Sequence, residues 1–181
     1  MTTFVRRVDT AHALKHAGVN VQTALGVQRP VGAHAWLICT PVGSGAAAIE
    51  SSKFYRSIND HVDDPEKKGH FANLLNALSL ACKQANYQDV LKGSNVSVKP
   101  AFSFNYSGKG YKVWELKSGK KDRVYFFSCE IGVGGKNLKI IVLLLAYHKK
   151  DQTTPADVCS YAERVMRDFI CNKPNIEIAK D

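Results

Sequence analysis

Arg123-Val-Tyr-Phe-Phe-Ser-Cys129 and Leu138-Lys-Ile-Ile-Val-Leu-Leu-Leu-Ala-Tyr147 are the two runs that decide how this chain folds. The first is rich in the β-branched and aromatic side chains that suit a pleated surface. The second is nearly all aliphatic and reads as a central strand buried on both faces. Between them Gly132-Val-Gly-Gly135 supplies a hairpin turn, which opens no helix and so is no phosphate loop. Upstream, Tyr111 to Lys117 alternates apolar and polar residues, and Ser118-Gly119-Lys120-Lys121 supplies a second turn. Three strands in quick succession predict an antiparallel meander.

Helical periodicity brackets the meander. Downstream, Val158, Tyr161, Ala162, Val165, Met166 and Phe169 form one stripe, with Thr154 as N-cap, Pro155 at the first helical position and Asp157 completing the capping pattern. Upstream, Phe71, Leu74, Leu75, Leu78, Ala81, Cys82 and Ala85 form another. Asp64-Pro65 opens that helix, and Phe54, Tyr55 and Ile58 mark a shorter one before it, so the two predict a helical hairpin. His34 to Thr40 reads as a strand, Asn86 to Tyr111 as turn-rich, and the segment from Asn172 as a polar, frayed tail. Residues 1–33 read as an N-terminal extension, with a helix over Thr10–Leu25 and a linker at Gln28–Gly32. The expected class is α+β: a small twisted antiparallel sheet with a helical hairpin and a C-terminal helix, formed by residues 34–181.

The formal charge of +9 and pI near 9.3 point to a polyanionic partner, nucleic acid first. The excess is concentrated: from Ser107 to Lys150 ten Lys and Arg face only Glu115, Asp122 and Glu130. The five cysteines are odd in number and show no metal-ligand spacing, so buried thiols in a reducing cytoplasm are expected, with no metal and no cofactor. No run of about 20 apolar residues is present, so no membrane span is expected. Trp114 in its amphipathic strand reads as core before it reads as a base-stacking residue.

Three stretches carry a family resemblance: Val113-Trp-Glu-Leu-Lys117, Arg123-Val-Tyr-Phe-Phe127, and Ile140 to Pro155, reading IIVLLLAYHKKDQTTP. In that order and spacing they resemble the RelE/HigB/ParE superfamily of toxins, above all its phage-derived, HigB-like branch. The resemblance covers residues 34–170 and implies the toxin of a type II toxin–antitoxin pair. It further implies a metal-independent endoribonuclease acting on mRNA at the ribosome, in the cytoplasm, with a cognate antitoxin protein as partner.

Such cleavage needs a group to take the 2′-hydroxyl proton, cations around the crowded phosphate, and a donor for the departing 5′-oxygen. His148, at the end of the central strand, is the candidate acid or base. Arg123 matches the family arginine that faces the scissile phosphate, and Lys117 is the second catalytic cation. Lys120, Lys121, Lys149 and Lys150 are expected to bind RNA backbone. Tyr147 points away from His148 in a regular strand and reaches RNA only if the strand end bulges. Two rival readings share this sequence: a ParE-like gyrase inhibitor without catalysis, and a repurposed nucleic-acid-binding or regulatory protein.

Overall fold

Glycine places the tightest turn of the meander. Strand β5 (Asp122–Val133) returns as β6 (Lys136–His148) through Gly134 and Gly135, whose φ angles are 58° and 77°. Two successive positive φ values define the type I′ turn that matches strand twist. β5 also pairs with β4 (Lys109–Ser118), which pairs with β3 (Ser97–Tyr106). The computed structural model describes residues 2–20, 34–171 and 175–179.

Within those residues the chain is α+β, with one mixed sheet in the order β3-β4-β5-β6-β2-β1-β7. The remaining strands are β1 (Thr2–Arg7), β2 (Leu37–Val42) and β7 (Asn175–Ile178). The helices are α1 (Thr10–His16), α2 (Lys53–His61), α3 (Pro65–Ala81), α4 (Tyr87–Lys92) and α5 (Ala156–Met166). A π-helical turn over Arg167–Cys171 extends α5.

Both faces of the sheet are covered, which accounts for the unbroken aliphatic run of β6. On one face Leu116, Val124, Phe126, Ile141, Leu143 and Ala146 pack against Leu14, Phe54, Ile58, Phe71, Leu75 and Leu78 of α1, α2 and α3. On the other, Val113, Tyr125, Phe127, Val142, Leu144 and Leu145 pack beneath Val158, Ala162, Val165 and Met166 of α5. A bulge lets Leu144 and Leu145 share that second face, because the register slips between Tyr125↔Leu145 and Phe126↔Leu143. The α3 stripe is buried from Phe71 to Cys82, and Ala85 lies exposed beyond the helix end. Asp64 caps α3 at Lys67 N, 2.8 Å away, with Pro65 in the first turn.

Several expectations are revised. The sheet is neither small nor wholly antiparallel: β2 runs parallel to β6, and β1 parallel to β7. Residues 2–20, expected outside the domain, supply β1 and α1, which bury Val5, Ala13 and Leu14. Helix α1 stops at His16, capped by Asp9 rather than Thr10. The rest of the helix drawn to Leu25, and the linker at Gln28–Gly32, fall outside the described residues. The turn-rich segment contains α4 and β3. Pro100 hides the strand signal of Val98, Phe102 and Phe104, and the chain accommodates it on an edge strand at a register shift. The tail pairs Ile176 with Thr3 in β7. At α5 the cap is Pro155, while the Thr154 hydroxyl lies 3.5 Å from Ala101 O.

The seam between β2 and β6 is short. Backbone partners run only from Leu37↔Ile140 to Cys39↔Val142. Beyond it the edge of β6 is completed by side chains. Thr40 Oγ1 donates to Leu143 O at 3.0 Å, and Ala146 N donates to Ser57 Oγ at 2.8 Å. His148 N donates to His61 Nδ1 at 3.2 Å. Ser57 and His61 stand one helical turn apart on α2, a spacing of about 6 Å. That matches the roughly 6.6 Å between alternate strand residues, so a helix substitutes for a strand along this edge.

Because β1 lies between β2 and β7, deleting residues 2–9 should abolish cooperative thermal unfolding. Circular dichroism melting checks this; a wild-type transition in the truncated chain would show β1 to be dispensable.

A candidate acid–base site at the sheet end

The turn after β4 and the last residue of β6 meet at one end of the sheet. The register there is Ser118↔Asp122 and Asp122↔His148. His148 Nδ1 lies 2.7 Å from Asp122 Oδ1, and His70 Nδ1, from the polar side of α3, lies 2.5 Å from Asp122 Oδ2. One carboxylate therefore holds two imidazoles by the same ring atom. When the Asp122 carboxylate accepts, both contacts take an Nδ1–H, and in a neutral ring so held the lone pair lies on Nε2. Asp122 is 10 % exposed by side chain, His70 23 % and His148 30 %, so the carboxylate is sheltered while the rings reach solvent.

The turn that carries Asp122 is held on three successive carbonyls. Arg123 Nη1 and Nη2 donate to Asp122 O and Lys120 O at 3.0 and 3.1 Å, and Lys149 N donates to Lys121 O at 2.9 Å. Gly119 in this turn has φ 63°, and a Cβ there would stand 2.4 Å from His70 Cε1. Only glycine tolerates that combination of backbone and contact. The His70 ring is thus seated on Gly119 as well as on Asp122.

His148 sits where the strand reading placed it. Asp122 and His70 lie beyond the reach of strand periodicity. Asp122 is detectable as the cross-strand partner of His148 once the two strands are registered. His70 has no sequence signal beyond its place next to the apolar stripe of α3. A third histidine, His61, receives the His148 N–H on Nδ1 and lies 4.2 Å from the Tyr147 ring by centroid.

The expected cations divide between the two faces. Arg123 is 3 % exposed and faces Glu115, with Nε 3.5 Å from Glu115 Oε1, so its fork is spent on the turn and on that carboxylate. Lys99 Nζ reaches the same Oε1 at 3.3 Å. Lys149 is buried as well and donates to Gln152 O at 2.7 Å. Burial lowers its pKa, opposed by Glu115 and reinforced by Arg123 and Lys99. Tyr147 packs with Tyr125 on the α5 face, and burial raises its hydroxyl pKa. Lys117, half-buried, pairs across the sheet with Arg123. Lys120, Lys121 and Lys150 are exposed, and the first two border the turn beside His70 and Asp122.

The thiols of Cys39, Cys82 and Cys129 are pushed up to about 12 by burial, which keeps them in the thiol form near neutral pH. Among the described residues no group of three or more His, Cys, Asp or Glu is placed to hold a metal ion. No helix among them is long and apolar enough to cross a membrane. A larger cleft of about 790 Å³ lies elsewhere, over Arg7, Leu37 and Ile49. His12 in it is already bound on both ring nitrogens, to Tyr55 Oη and Glu50 Oε1.

Fold and site together define an α+β chain with a carboxylate-bridged histidine pair. No protein-family model, curated protein or solved structure matches the chain.

His61 gives the site a pH response. Burial lowers its pKa, offset by Asp60 and Asp157 and reinforced by His148 and Lys67. The unfolded chain therefore takes up a proton before the folded one does. The stability this provides is present above the ordinary histidine range and is lost as pH falls through it. His61→Asn, whose amide oxygen accepts the same N–H without titrating, should lose less thermal stability between about pH 7 and about pH 5 than wild type does. Parallel melting curves for the two proteins would refute this.

Proposed function

We propose that this chain is a metal-independent endoribonuclease of the RelE/HigB toxin kind. The carrying observation is the pair of partly exposed imidazoles bound through Nδ1 to one carboxylate. In this reading one Nε2 removes the 2′-hydroxyl proton as that oxygen attacks the adjacent phosphorus. The other, protonated, gives its proton to the departing 5′-oxygen, and the products are a 2′,3′-cyclic phosphate and a free 5′-hydroxyl. Asp122 sets both tautomers and balances the charge of the protonated ring. The exposed Lys120 and Lys121 beside it hold the backbone phosphates of the RNA.

Arg123 acts here through the turn and not on the phosphate, which departs from the role the resemblance implies. The substrate is mRNA, engaged at the ribosome in the cytoplasm, and a cognate antitoxin covers the site when the toxin is silent. The seven-stranded mixed sheet is larger than the small antiparallel sheet that the resemblance implies.

The test is induced expression in a bacterial host of wild type, His70→Ala and His148→Ala, recording growth and mRNA 5′ ends together. Growth arrest with new 5′-hydroxyl ends, lost in both variants, is the expected result. Arrest without cleavage would overturn it in favour of gyrase inhibition. Soluble wild-type protein with neither effect would overturn it in favour of a non-enzymatic nucleic-acid-binding role.

A further inference from the structure

We propose that the buried Glu115–Arg123 pair is a positioning device that fixes the Asp122 carboxylate between its two histidines from the opposite face of the sheet. The inference rests on reading His70, Asp122 and His148 as an acid–base site.

Its basis is the direction of the contacts. Arg123 and Asp122 are neighbours in β5, so their side chains leave on opposite faces. Glu115 orients the guanidinium at Nε, and the two terminal nitrogens then reach back to the carbonyls of Lys120 and Asp122. The Lys149 amide ties the carbonyl between them. A three-residue turn otherwise free to breathe is thereby fixed at each carbonyl ahead of the carboxylate.

Stability alone is a poor reason to bury this pair. Removing two charges from water commonly costs as much as their attraction returns. Here Glu115 Oε2 is buried without a hydrogen-bond partner, and Arg123 Nε meets Glu115 without making a well-formed hydrogen bond. What the pair does accomplish is geometric. Asp122 must meet two rings at hydrogen-bond distance at once, and small rotations of its turn would favour one ring over the other. Holding a reacting constellation to within about 0.5 Å requires a supporting shell whose own rotamers are locked.

The experiment reads the imidazoles directly, without substrate, in the full-length protein. Proton–nitrogen NMR of protein labelled with ¹⁵N-histidine reports whether Nδ1–H is the populated tautomer and how fast that proton exchanges with water. Wild type should show hydrogen-bonded, slowly exchanging Nδ1–H protons on His70 and His148. In Arg123→Lys, which cannot bridge both carbonyls, both should exchange roughly tenfold faster, the factor expected for one to two net hydrogen bonds. Glu115→Gln, which frees the guanidinium, should move both in the same direction by less. Lys120→Ala, which leaves its backbone carbonyl in place, should match wild type.

Wild-type exchange in both Arg123→Lys and Glu115→Gln would overturn the positioning role while leaving the acid–base site intact. Absence of a hydrogen-bonded Nδ1–H on either ring of wild type would overturn the site itself, and the device with it. If Arg123→Lys does not fold, the near-isosteric Glu115→Gln decides alone, and unchanged exchange there counts against the proposal.

Discussion

Asp122→Ala is expected to lower the rate of RNA cleavage by roughly a thousandfold, within the range for positioned general acid–base catalysis. The loss should fall on the chemical step, because the exposed Lys120 and Lys121 that hold the RNA in this reading remain. Two effects combine. Without the carboxylate neither ring is held in the Nδ1–H tautomer, and His148 loses the contact that fixes its ring. The protonated ring also loses its counter-charge. Asp122→Asn sharpens the test, since an amide has one oxygen to accept a proton and its nitrogen opposes the second Nδ1–H. One histidine would keep its orientation and the other would lose it, so Asn should fall between wild type and Ala. Single-turnover cleavage of a short oligoribonucleotide measures this. Cleavage by Asp122→Ala at the wild-type rate would remove the site from the mechanism.

Among single substitutions, the largest effect on stability is expected at Glu115. Glu115→Ala should cost about 3–5 kcal/mol, because it leaves Arg123 buried with no carboxylate opposite it. Lys99 and Lys149 approach the same carboxylate, so its loss also removes the negative charge that offsets them. Urea unfolding followed by fluorescence gives the value. Replacing both members with apolar residues, as in Glu115→Leu with Arg123→Met, should restore much of the loss, since a buried pair seldom outperforms good apolar packing. A single variant as stable as wild type would show that water already reaches this pair.

The sequence is most legible where a pattern repeats locally. The meander, the α3 stripe and the Asp64-Pro65 cap are each read from neighbours in the chain. β1 carries no such pattern: it is six residues long and pairs with β2 across an unrelated segment, Arg7 opposite Cys39. β7 is shorter still, four residues whose Ile176 docks in the second core beside the edge of β1. In β3 the proline outweighed real alternation. The site follows the same rule. His148 stands at the end of an obvious strand, whereas Asp122 and His70 reach it only through register and helix packing. Arg123 shows the converse: the resemblance implies a phosphate ligand, and alternation along β5 sends its side chain to the face opposite Asp122, where it is buried.

The short seam beside β6 also bears on association between copies of this chain. Ile140 to Ala146 is a run without charge or proline, the composition that stacks most readily between chains. Past Cys39 its edge is closed by the hydroxyls of Thr40 and Ser57 and the ring of His61. Helix α2 is therefore a guard rail against fibre growth, and peeling it back would offer the most adhesive strand of the molecule to a neighbour. Ser57→Ala with His61→Ala should form thioflavin-positive aggregates below its own melting temperature, where wild type stays clear. If both stay equally clear on warming, the apolar contacts of Phe54 and Ile58 are enough to keep that edge shut.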